Sequence, residues 1–119
     1  MKKTITITAL LSSLFTLSAV YVFGQGGVKG QVKLDNARVR VTDVNFPPGV
    51  PRERYIRPTD QVIVFLDDCR YERTDSKTGE KAVRERKSGE VIWHDKGEDA
   101  PVLRNLGSKP YRTLVIELK

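Results

Sequence analysis

Val62-Ile63-Val64-Phe65-Leu66, then Arg70-Tyr71-Glu72-Arg73-Thr74, then Asp75-Ser76-Lys77-Thr78-Gly79 is the stretch that decides the fold class. The first run is the densest apolar stretch after the N-terminal segment and reads as a central strand buried on both faces. The second alternates polar with apolar, the period of a half-buried strand. Asp75 to Gly79 reads as a hairpin loop in which Gly79 takes a positive φ. The return strand Lys81 to Lys87 carries Ala82, Val83 and a basic run with Glu85 inside it. Arg84-Glu85-Arg86-Lys87 is expected to face Glu72 and Arg73 across the hairpin, as cross-strand ion pairing on a solvated face.

The same grammar extends in both directions. Ala37 to Phe46 alternates, with Val39 and Val41 opposite Arg38, Arg40 and Thr42, and a shift in register is expected before Val44 and Phe46. Pro47-Pro48-Gly49 ends that strand, because two prolines remove ladder donors and glycine permits the turn. Downstream, Val91 to Trp93, Val102 to Leu106 and Tyr111 to Leu118 are short strands bounded by turn residues. No helical period stands out after residue 25. Seven or eight short strands of this kind predict an all-β chain, an antiparallel jelly-roll β-barrel.

The N-terminus has a different character. Lys2 and Lys3 precede a charge-free, apolar stretch from Ile5 to Phe23, and Val22-Phe23-Gly24 resembles a signal-peptidase site. Residues 1–24 are expected to be a signal peptide cleaved near Gly24, giving an exported, periplasmic or extracellular protein. The alternative is an uncleaved membrane anchor, the only way this chain would engage a membrane. Residues 25–36 form an extended N-terminal segment, and residues 37–119 the barrel.

Composition narrows the function classes. The 119 residues include 21 Lys+Arg, 15 Asp+Glu, one His and one Cys. Loss of the two signal lysines lowers the net charge from +6 to +4, interleaved with acids, which excludes a nucleic-acid stripe. Cys69 can form no internal disulfide, and His94 cannot supply a multi-histidine metal site.

Two spaced motifs carry a resemblance. Gly49 is followed by five residues, then Tyr55-Ile56-Arg57, three spacers and Gln61. Gly89 is followed by five residues, then Asp95-Lys96-Gly97, Glu98-Asp99-Ala100 and, one position late, Asn105. These resemble the two motifs of the cupin superfamily, over about residues 37–119. In that family two His and a Glu from the first motif and a His from the second bind a divalent metal. The matching positions here are Tyr55, Arg57, Gln61 and Ala100 (or Asp99). A guanidinium has no lone pair to donate, so no metal and no cofactor are expected.

The resemblance implies a barrel interior bordered by Tyr55, Arg57 and Gln61, with Arg52 and Arg54 close in sequence. That basic mouth suits a small anionic ligand, taken by Tyr55, Arg57, Gln61 and Arg54 with Trp93 as an aromatic wall. Structural roles compete: Arg54 and Arg57 in ion pairs, Tyr55 in the core, and Trp93 in the core with Phe65, Leu114 and Ile116. A protein partner at an exposed edge is a further binding role. The resemblance also implies a homodimer, in which Val28 to Leu34 could pair with a neighbouring sheet. From another class, a metal-free isomerase- or epimerase-like enzyme would use His94 or Tyr55 as acid and base, with Asp95 or Asp68 orienting His94.

Overall fold

The computed structural model describes residues 20–23 and 27–119. Twelve strands follow one another: β1 (Val20–Phe23), β2 (Val28–Asp35), β3 (Val39–Phe46), β4 (Pro51–Arg52), β5 (Tyr55–Ile56), β6 (Asp60–Phe65), β7 (Cys69–Thr74), β8 (Lys81–Arg86), β9 (Val91–His94), β10 (Asp99–Ala100), β11 (Val102–Asn105) and β12 (Tyr111–Leu118). They form a six-stranded sheet in the order β1-β2-β3-β12-β6-β9, a four-stranded sheet β4-β11-β7-β8 and a two-stranded ladder β10-β5. Every pairing between named strands is antiparallel. Of the segment read as an export signal, residues 1–19 and 24 lie outside the described residues. The remaining Val20–Phe23 pair with β2.

Side chains opposite one another in a ladder share a face. In the large sheet one row therefore runs Val32, Thr42, Val115, Ile63, Ile92 toward the interior. The adjacent outer row runs Leu34, Val41, Ile116, Val62, Trp93. Strand β6 alternates, with Gln61, Ile63 and Phe65 buried and Val62 and Val64 only half-buried. The reading of this run as buried on both faces is thereby corrected: its outer face looks away from the opposing sheet. Trp93 is likewise outside the core, 51% exposed, and donates from Nε1 to Asp95 Oδ1 at 2.8 Å.

Alternation in β3 runs without a shift through Thr42, Val44 and Phe46. The irregularity lies in β2 instead, between Val32 and Leu34, where the pairing with β3 slips. This β2 strand pairs within its own chain, and Val28 is fully buried in the core. Phe46 stacks on Tyr111 at 4.7 Å, and Tyr71 lies 6.2 Å from Tyr111 and 6.3 Å from Phe65. These rings form part of the cavity wall.

Two turns follow from their residues. Gly49 adopts φ 73° after the prolines, and its amide donates to Asn105 O at 2.9 Å. At the β7–β8 hairpin Asp75 Oδ2 accepts the Lys77 and Thr78 amides, and Gly79 takes φ 78°, as its sequence predicts.

The hairpin faces differ from the sequence reading. Cys69, Tyr71 and Arg73 stand opposite Arg86, Arg84 and Ala82, and buried Tyr71 marks this as the inner face. Arg84 and Arg86 thus share the interior side with Arg73. Outside, Glu72 meets Lys81 and Arg104, and Arg70 meets Glu85.

Candidate functional site

A cavity of about 230 Å³ occupies the barrel. Its apolar wall comes from the inner rows, including Val44, Phe46, Ile63, Phe65, Leu103 and Tyr111. Five arginines also line it: Arg52, Arg57, Arg73, Arg84 and Arg86. Glu98 and Asp99 are the carboxylates on the same wall.

Arg52 and Arg57 are 7% and 5% exposed. Arg52 reaches inward from β4 and donates from Nη2 to the Pro101 carbonyl. Arg57 follows β5, where its backbone is held by Glu98 O at 3.0 Å and by the Gly97 amide at 2.9 Å. Its Nη1 donates to Gln61 Oε1 at 2.7 Å and lies 3.4 Å from Tyr55 Oη. The Tyr55 hydroxyl is 3.5 Å from the same Gln61 oxygen. The Tyr55 ring sits between the two guanidiniums, 5.3 Å from that of Arg52 and 5.7 Å from that of Arg57.

Neither buried guanidinium has a carboxylate within 4.0 Å among the described residues, and the Nε of each is buried without a hydrogen-bond partner. Burial works against both charges; Tyr55 partly offsets it for each, Glu98 and Asp99 do so for Arg57, and Arg57 adds repulsion at Arg52. Arginine stays protonated even so, which leaves two positive charges beside an open volume.

His94, at the end of β9, lines the same cavity and is opposite Gln61 in the ladder. Its Nδ1 lies 2.9 Å from Glu98 Oε1, and Glu98 Oε2 accepts the Asp95 amide at 3.0 Å. Burial pushes the imidazole pKa below its ordinary value; Glu98 works upward, and Arg57 and Arg52 push further down. Glu98, not Asp95 or Asp68, orients the ring: the Asp95 side chain is held by Trp93, and Asp68 accepts from the Ser88 amide.

Tyr55, Arg57 and Gln61 are brought together as their spacing implies, whereas Arg54 and Trp93 are not part of the group. Arg54 points outward to an exposed ion pair with Asp99, which also accepts from Ser76. Trp93 lies on the outer face because strand alternation gives the inner face of β9 to Ile92 and His94. Arg73, Arg84 and Arg86 were not expected in the cavity; the inward Tyr71 and its ladder partner Arg84 are the signal that places them there.

Solved structures match this architecture. A cupin domain from Bordetella pertussis superposes with a TM-score of 0.71, over 81% of this chain and 97% of its own, at 22% identity. This chain has the cupin fold. A protein with a double-stranded β-helix domain from Klebsiella pneumoniae gives 0.59 over 82% of this chain and 84% of its own, at 19% identity. Oxalate decarboxylase gives 0.62 at 17% identity, over 83% of this chain but 28% of the enzyme. No family model matches the chain, and no curated protein matches it.

Ala100 is fully buried and pairs with Tyr55 in the β10–β5 ladder, so the four residues that the resemblance matches to metal ligands are Tyr55, its ladder partner Ala100, and the Arg57 and Gln61 that Tyr55 contacts. A methyl group and a guanidinium offer no lone pair, and Arg57 takes the one carbonyl oxygen that Gln61 presents. No cluster of three His, Cys, Asp or Glu converges among the described residues. The donor set does not suit a divalent cation, because a fixed cation at 2.7 Å from Gln61 Oε1 repels a second one.

Proposed function

We propose that the chain is an exported protein whose cupin barrel binds a small anion through the Arg52 and Arg57 guanidiniums, Arg57 being at a position that the resemblance matches to a metal ligand. The observation that carries this is the pair of buried, carboxylate-free guanidiniums beside a cavity, each with an unsatisfied Nε–H. Burying a charge with no counter-charge in contact is costly; Glu98 and Asp99 act on Arg57 only from beyond ion-pair distance, and an anion in the cavity would contact both guanidiniums. The cavity, below the roughly 300 Å³ of drug-sized sites, suits a small molecule with an apolar body. Export rests on Lys2, Lys3 and the charge-free run to Phe23.

Calorimetric titration with benzoate tests the reading. Native protein is expected to bind it, and Arg57→Gln to weaken binding by about 10- to 100-fold, the effect of one charge-assisted hydrogen bond. No heat with native protein, or equal affinity in the variant, refutes it.

A second reading has its own observation: His94 lines the cavity 2.9 Å from Glu98, with Tyr55 on the same wall. Such a pair could serve a metal-free isomerase or epimerase by taking and returning a proton beside a bound carboxylate. Deuterium exchange into the carbon next to the carboxylate of a bound 2-hydroxy acid, abolished in His94→Gln, distinguishes catalysis from binding alone.

A further inference from the structure

Among the five arginines of the cavity, Arg86 is committed within the protein. It lies 3.5 Å from Glu90 and 3.4 Å from the Tyr71 hydroxyl, with its guanidinium 5.6 Å from the Phe65 ring centre. Arg73 and Arg84 differ: neither has an ion pair or a side-chain hydrogen bond among the described residues. Both line the cavity.

Their positions follow from the register of the four-stranded sheet. Leu103 of β11 stands opposite Arg52 on one side and Arg73 on the other, so Arg52, Leu103 and Arg73 form one inward row. Strands lie about 4.8 Å apart, which separates the Arg52 and Arg73 backbones by roughly 10 Å. Arg84 stands in the next row opposite Tyr71, one strand further out. Positive charge is therefore concentrated at two ends of the cavity, Arg52 with Arg57 at one and Arg73 with Arg84 at the other. Leu103 lies between Arg52 and Arg73 in their row.

Like charges on one cavity wall repel, and a single carboxylate answers only one end. From this arrangement we infer that the preferred ligand is a two-ended dianion: two carboxylate-type groups joined by a short apolar spacer, one end on Arg52 and Arg57 and the other on Arg73 and Arg84. The inference rests on the anion-binding reading above and adds the ligand's second charge and its spacing.

Terephthalate and benzoate share a ring and differ by one carboxylate, so the pair isolates the second end. Calorimetry on the native protein is expected to give terephthalate at least about tenfold tighter binding than benzoate. In the Arg73→Gln/Arg84→Gln double variant, terephthalate loses its advantage over benzoate; Arg57→Gln weakens both. Arg84 is exposed and Arg73 half-buried outside the core, and an unchanged melting temperature confirms that the variant is folded. Equal affinity for the two probes in native protein overturns the two-ended ligand while leaving anion binding standing. So does a double variant that weakens both probes alike, which marks a diffuse field. Absence of binding by both probes overturns this inference together with the reading on which it rests.

Discussion

At the scale of single residues, the site is a set of side chains whose charges are set by one another. Tyr55, Arg57 and Gln61 were legible because the motif spacing places them at one corner, and the hydrogen bonds among them follow. Arg54 takes the ion-pair role of the two that its sequence left open, because one residue of chain separates an inward arginine from an outward one, and spacing alone does not say where the alternation restarts after β4. His94 carries a testable consequence. Its pKa in the free protein lies below the ordinary 6.5, so the folded state disfavours the proton that the unfolded chain accepts. Stability of the unliganded protein is therefore expected to decline as pH falls below about 6.5, levelling once the folded-state value is passed. A bound anion offsets the Arg57 and Arg52 charges that depress His94, so its affinity is expected to rise over the same interval, with proton uptake. Calorimetry in buffers of different ionisation enthalpy measures that uptake, and His94→Gln abolishes both effects. Cys69 is inert by the same logic: burial pushes its thiol up to about 11, leaving it protonated near neutrality.

Elements are held in place by a few buried polar groups as much as by the apolar rows. Asn105, at the end of β11 and 3% exposed, donates from Nδ2 to Phe46 O at 2.9 Å and to Lys109 O at 2.8 Å. Its Oδ1 accepts the Gly107 amide at 2.7 Å, and its backbone carbonyl accepts from Gly49. One side chain thus ties the end of β3 to the β11–β12 turn. Asn105→Ala leaves two carbonyls and one amide without this partner and is expected to cost about 2–4 kcal/mol in urea unfolding. Asn105→Asp, which loses the donors and keeps an acceptor, is expected to destabilise through the two carbonyls. The long strands were legible from their alternation to within two residues at each end. The two-residue strands β4, β5 and β10 were not, because two residues carry no period. Yet the residues of these short ladders include Arg52, Tyr55 and Asp99 of the cavity lining.

For the whole molecule, the barrel keeps a buried positive corner. Replacing Arg57 and Gln61 together by Met and Leu removes the buried charge and its acceptor in one step. The double variant is expected to be more stable by about 1–3 kcal/mol in urea unfolding, yet to bind no benzoate. A variant that is less stable would mean that the polar corner supports the fold itself. By itself, the sequence determined the all-β jelly roll and its hairpins, because alternation and turn residues are local properties of the chain. Tertiary structure decided which arginines meet. Whether Arg73 and Arg84 face solvent or Arg52 depends on how β4, β11, β7 and β8 align, and strands far apart in sequence acquire a common inner face only when the sheet forms.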